Sequence, residues 1–168
     1  MMRQVEKKRP KEDALPYAVK LLASRSYSTR KLKDKLKLKG YEAEEIELAI
    51  EKLKARNLLD DARFAEGFVR TRIETHPRGK SALIRDLVSR GISGATAKQA
   101  VSDHLSADQE LDLAKELLRR KSRQYSSLDP ETRKRRLTAL LARRGFRPGI
   151  IFKVIDLPPD DSNQEDSY

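Results

Sequence analysis

The chain has 168 residues, with 37 Lys and Arg against 26 Asp and Glu, and neither Cys nor Trp. Disulfides, cysteine-held metal or iron–sulfur sites and thiol chemistry are therefore excluded, and no apolar run approaches the ~20 residues needed to cross a bilayer. The net charge of +11 is uneven: residues 156–168 hold five acids and no base, leaving 37 basic against 21 acidic residues in 1–155, a balance of +16 that suits a polyanionic partner.

Residues 1–12 carry five basic side chains and no apolar period, and read as a flexible basic arm. This charged start lacks the apolar stretch of a signal peptide, so a cytoplasmic protein is expected. Tyr17, Ala18, Leu21 and Leu22 then recur at helical spacing. Ser28 caps a second helix that contains Leu32 and Leu36 and ends in Lys37, Lys39 and Gly40. Ile46, Ala49, Ile50 and Leu53 mark a third, opened by an acidic run from Glu42 to Glu51. Asp60 or Asp61 caps the helix of Phe64, Ala65, Phe68 and Val69, and Leu83 and Leu87 precede Arg90-Gly91. Ala97 and Val101 follow, then Leu111, Ala114, Leu117 and Leu118. Asp129 with Pro130 opens a helix of Leu137, Leu140 and Leu141 that ends at Arg143-Arg144-Gly145. Ile151 and Ile155 close the pattern, and the acidic segment 158–168 after Pro158-Pro159 reads as a disordered tail. No segment alternates with period two. The predicted class is all-α.

The glycines set a repeat. Leucines stand eight and four residues before each: Leu32 and Leu36, Leu83 and Leu87, Leu137 and Leu141. Tyr41, Ile92 or Phe146 follows at once; Ile46, Ala97 or Ile151 stands at plus six, and Ile50, Val101 or Ile155 at plus ten. Three tandem three-helix repeats are predicted, at 13–59, 60–105 and 106–157. Each is too small to bury much apolar surface alone, so they should stack into an elongated, curved molecule.

Candidates for chemistry are weak. Gly79-Lys80-Ser81 resembles the end of a phosphate loop, but Glu74 stands where the leading glycine belongs and the lead-in is helical. His76 and His104 lack partners at metal-ligating spacing. Asp60-Asp61 would suit paired magnesium carboxylates, yet a pair at a helix start is explained by capping. No nucleophile has a partnered base. The reading is a non-enzyme with no cofactor, no metal site and no catalytic residue.

Leu58-Leu59-Asp60-Asp61-Ala62-Arg63-Phe64-Ala65 resembles the signature of the bacterial RecX regulatory proteins. Arg25, Ser28, Leu32, Lys35, Leu36 and Gly40 resemble that family's first repeat. Gly79, Ile84, Leu87, Gly91 and Ile92 resemble its second, and Leu141 with Arg144-Gly145-Phe146 its third, so the likeness covers about residues 14–155. One departure is Lys31, where the family usually has an acid, which leaves Ser28 without its capping-box partner.

The resemblance implies three three-helix repeats lying in the groove of a RecA–single-stranded DNA filament. It implies inhibition of RecA strand exchange, ATP hydrolysis and coprotease functions. The residues expected to meet RecA or DNA phosphates are Arg30, Lys31, Lys35, Arg85, Arg133, Arg136, Arg143 and Arg144, in a monomer. The competing reading is a non-specific DNA-binding module: three-helix units resemble helix-turn-helix geometry, although the basic residues ring their helices and aromatics are few.

Overall fold

A computed structural model describes residues 11–155; the proposed tail at 158–168 and nearly all of the proposed arm lie outside them. Among the described residues there are nine α-helices and no strand. The first repeat holds α1 (Ala14–Ser24), α2 (Thr29–Lys39) and α3 (Ala43–Ala55). The second holds α4 (Asp61–Thr75), α5 (Lys80–Ser89) and α6 (Gly94–His104). The third holds α7 (Ala107–Ser122), a 3-10 turn at Arg123–Tyr125, α8 (Pro130–Arg143) and α9 (Pro148–Ile155).

In every repeat the third helix packs on both others, and each well-packed helix pair lies within one repeat. Three separate cores result, built on the positions that the glycine register marks. Leu32, Leu36, Tyr41, Ile46 and Ile50 are buried in the first, and Leu83, Leu87, Ile92, Ala97 and Val101 in the second. Leu141, Phe146 and Ile151 are buried in the third, where Val154 takes the burial expected of half-exposed Ile155. Burying such a leucine is worth about 2 kcal/mol, so each repeat owes its stability to a handful of side chains.

The turn between second and third helices is the same device three times. Gly40, Gly91 and Gly145 have φ of 105°, 89° and 80°, the left-handed region that a β-carbon disfavours. The next amide donates back to the same register position in each case: Tyr41 to Leu36, Ile92 to Leu87 and Phe146 to Leu141. This is the hydrogen bond that closes a Schellman turn. The aromatic or isoleucine is thereby dropped into the core directly after the helix ends. Tyr41 also donates its hydroxyl to the Glu12 carbonyl at 2.8 Å, and burial raises its pKa.

Two features of the sequence find their reason here. The opening of the acidic run caps α3: Glu42 and Glu45 form a capping box at its N-terminus. Farther along, Glu47 pairs with Lys33 of α2 at 2.6 Å. The loop between the first two helices of a repeat spans 25–28 and 76–79, but 123–129 in the third repeat. Arg133 holds that longer loop, donating to the carbonyls of Tyr125 (3.2 Å), Ser126 (2.9 Å) and Leu128 (3.2 Å).

Candidate functional site

The repeats meet at two junctions built on one plan. The N-terminus of a repeat's second helix abuts the C-terminal turn of the next repeat's second helix, and a carboxylate from the next repeat's first helix caps it. At the first junction Ser28 accepts from the Lys31 amide at 3.3 Å, and its hydroxyl proton goes to the carbonyl of Arg90 across the boundary. The Thr29 amide donates to Asp61 Oδ1 at 2.7 Å. The Arg30 side chain lies over Gly91, where a β-carbon would stand 2.5 Å from it.

The second junction repeats this with backbone in closer approach. The Gly79 amide donates to the Arg144 carbonyl at 3.0 Å, and the Lys80 amide to Glu110 Oε1 at 2.9 Å. Glu110 is 0% exposed, and Arg147 donates to its other oxygen at 2.8 and 3.1 Å. A buried carboxylate is tolerated because these bonds satisfy it. A β-carbon at Gly79 would meet the Gly145 carbonyl oxygen at 2.2 Å, and one at Gly145 would meet Ala82 at 2.3 Å.

The Asp-Asp pair is thus divided between two helices. Asp60 caps its own, accepting from Ala62 at 2.8 Å and Arg63 at 3.1 Å. Asp61 caps the preceding repeat's α2 through the Thr29 amide, next to the Ser28 amide that a capping-box acid in place of Lys31 would take. Aligned on Ala18, Ala65 and Ala114, all fully buried, Asp61 corresponds to Glu110 and to Ala14 of the first repeat. A carboxylate thus stands wherever a preceding repeat exists to be capped. The α8 N-terminus, with no fourth repeat after it in the described residues, is capped by its own Asp129 through the Thr132 amide at 2.9 Å. That bond holds the Asp129 carboxyl below its ordinary pKa.

Two clefts open at the junctions. The first, of about 370 Å³, is lined by Arg25, Ser26, Tyr27, Ser28, Lys31, Asp34, Lys35, Leu38, Phe64 and Arg90. The second, of about 190 Å³, is lined by Thr75, His76, Pro77, Glu116, Leu117, Arg120, Lys121 and Arg144. His76, Pro77 and Arg144 stand in the repeat register where Arg25, Ser26 and Arg90 do. Glu116 of the second cleft accepts from Arg119 and Arg120 at 2.9 and 2.6 Å, which lowers its pKa to about 2.

Placed in this frame, the predicted cations separate. Lys31 and Lys35 line the first cleft and Arg144 the second, while Arg85, Arg136 and Arg143 are exposed but line neither. Arg30 is spent partly in packing on Gly91, and Arg133 is turned onto the loop carbonyls. The Gly79-Lys80 amides that a phosphate loop would offer are taken by Arg144 and Glu110. Among the described residues no cluster of three or more metal-ligating side chains forms, and no helix is long and apolar enough to span a membrane. Sequence reasoning missed Arg25, Tyr27, Phe64, Arg90, Glu110 and Arg147 as site residues. For Glu110 a signal existed: it stands four residues before the alanine of its repeat, the register that Asp61 holds in the repeat before.

Family models for RecX match the three repeats in chain order: the first three-helix domain over residues 14–53, the second over 60–101 and the third over 108–155. The chain belongs to the RecX family. A protein named Regulatory protein RecX from Pelodictyon phaeoclathratiforme is 35% identical over 154 residues, 90% of this chain and 94% of its own. Its namesake from Amycolatopsis mediterranei is 33% identical over 135 residues, 80% of this chain and 77% of its own. The crystal structure of RecX from Lactobacillus salivarius superposes with a TM-score of 0.79 over 84% of this chain and 92% of that one, at 22% identity. That likeness fixes the RecX fold, three tandem three-helix repeats, for this chain.

Proposed function

We propose that this RecX family chain binds the RecA–single-stranded DNA filament and lowers RecA's recombinase, ATPase and coprotease activities. One observation from the structure supports the reading beyond family membership. Arg30, Lys31, Lys35, Arg85, Arg136, Arg143 and Arg144 have no acidic partner among the described residues. Lys20, Lys33, Arg78, Lys115, Arg120 and Arg147, by contrast, are paired within the fold. Apart from Arg30, which packs partly on Gly91, these unpaired cations are free to meet phosphates or acidic partner surfaces. Such contacts fix position and carry no base sequence, which suits a protein that must act anywhere along a filament. No step requires a catalytic residue.

The test is RecA ATP hydrolysis on single-stranded DNA, titrated with wild type, Lys31→Glu/Lys35→Glu and Arg143→Glu/Arg144→Glu at fixed salt. Wild type should inhibit, and each charge-reversed pair should shift the titration to higher concentration with folding unchanged. If wild type leaves hydrolysis unaltered while it binds bare DNA, the direct DNA-binding module replaces this reading.

A further inference from the structure

We propose that the cleft between the first and second repeats seats one unstacked nucleotide of single-stranded DNA, its base against Tyr27 and Phe64 and its flanking phosphates on Lys31 and Lys35. This deepens the reading above and rests on it for the source of the strand. The cleft combines what a nucleotide needs. Arg25, Lys31, Lys35 and Arg90 face Asp34 alone, a surplus of three positive charges. Lys31 and Lys35 are one helical turn apart on α2, roughly 6 Å between β-carbons, about the spacing of successive phosphates on an extended strand.

Planar groups that a base can stack on line the cleft. The Arg25 guanidinium lies 4.7 Å from the Tyr27 ring centroid and donates to the Tyr27 hydroxyl at 2.7 Å. Bases stack on aromatic rings and on guanidinium planes alike, without reading sequence. Arg90 is held at the cleft wall by its carbonyl bond from Ser28 and by its side chain over the Phe68 ring at 4.6 Å. The cleft volume of ~370 Å³ is enough for a base with its sugar. The second junction lacks this character. Its lining holds no aromatic ring other than His76, and Asp86, in the register of Lys35, is bound to Arg78 at 2.7 Å.

The chain has no tryptophan, so Tyr27→Trp gives a single fluorescent reporter inside the cleft. A second variant, Phe152→Trp, places the reporter at a 67% exposed position on α9. Oligothymidylate should quench the Tyr27→Trp variant saturably and leave the Phe152→Trp variant unchanged. Wild type should prefer oligothymidylate over a strand of equal charge made of abasic sites, by roughly 5- to 150-fold for one stacked base. Tyr27→Leu, confirmed as folded by circular dichroism, should bind the two strands alike. Equal binding of both strands by wild type overturns the proposal, as does a cleft reporter that oligothymidylate leaves unquenched. A poly-glutamate peptide that quenches the cleft reporter as well as DNA does would also overturn it, assigning the cleft to an acidic protein segment. The readout is independent of RecA, so a failed ATPase test with intact quenching sinks the filament reading and leaves the nucleotide site standing.

Discussion

Gly79→Ala isolates the junction between the second and third repeats. Gly79 has an ordinary φ of −72°, so alanine meets no backbone strain there. The obstacle is space: the new β-carbon would lie 2.2 Å from the Gly145 oxygen and 2.4 Å from Phe146 Cα, both backbone atoms that cannot swing aside. Ordinary contact requires the start of α5 to retreat by about 1 Å. That retreat stretches the Gly79–Arg144 bond from 3.0 Å and the Lys80–Glu110 bond from 2.9 Å past useful range. Overpacking costs about 1–3 kcal/mol, and a lost bond to a buried carboxylate about 1.5–3 kcal/mol. Because the retreat relieves the clash while it breaks the bonds, the two overlap, and a net loss of about 3 kcal/mol is expected. Gly67→Ala in α4 is the control, since nothing lies within 4 Å of where its β-carbon would stand; there alanine should stabilise by about 0.5–1 kcal/mol. Urea denaturation followed by circular dichroism compares them. At a slope of about 2 kcal/mol/M, the midpoints should differ by roughly 2 M. A Gly79→Ala curve that splits into two transitions would mean an uncoupled third repeat and would also support the junction. Equal midpoints for the two variants would refute it.

Three further outcomes follow from the same geometry. Glu110→Ala should cost about 2–4 kcal/mol in the urea assay, because it orphans the Lys80 amide and removes Arg147's partner, while Glu110→Gln, which keeps an acceptor, should cost less. Asp60→Asn should be nearly neutral and leave inhibition of RecA ATP hydrolysis intact, since asparagine caps as well as aspartate; Asp61→Ala should instead weaken the first junction by about 1–3 kcal/mol in urea. Glu116, its pKa lowered to about 2 by Arg119 and Arg120, favours the fold fully above its unfolded value of about 4.3 and progressively less as pH falls toward about 2. Glu116→Gln should therefore flatten stability between about pH 4.5 and about pH 2 relative to wild type, as read by thermal melts across that window.

Helix count and repeat number were legible because they rest on local rules. A leucine eight and four residues before a glycine, with an apolar residue just after, describes one helix end and one core contact within a few residues of chain. The junctions were not legible, because they join backbone groups to partners far away in sequence: Ser28 to Arg90, Lys80 to Glu110, Gly79 to Arg144. Asp61 reads as a capping residue from sequence, and it is one; only the fold shows that the helix it caps belongs to the preceding repeat. Net charge foretold a basic surface but could not sort it. Arg133 and Arg136 look alike in a run of bases, yet Arg133 holds the 123–129 loop while Arg136 faces solvent. The aromatics of the first cleft, Tyr27 and Phe64, are far apart in the chain and line one cleft because the first and second repeats join where Asp61 of α4 caps α2.

Recognition of RecA assembled on DNA, with phosphate contacts as a contribution and not the whole, is the central proposal. The most direct measurement is equilibrium binding of the labelled chain to oligothymidylate, bare or coated with RecA, in the same buffer across a salt series. Distinctly tighter binding to the coated strand is expected at every salt. On bare DNA the expected affinity is weak and falls with salt at about −0.7 per phosphate contact on the logarithmic plot. Equal affinity for coated and bare strands, with the same salt slope, would contradict the proposal.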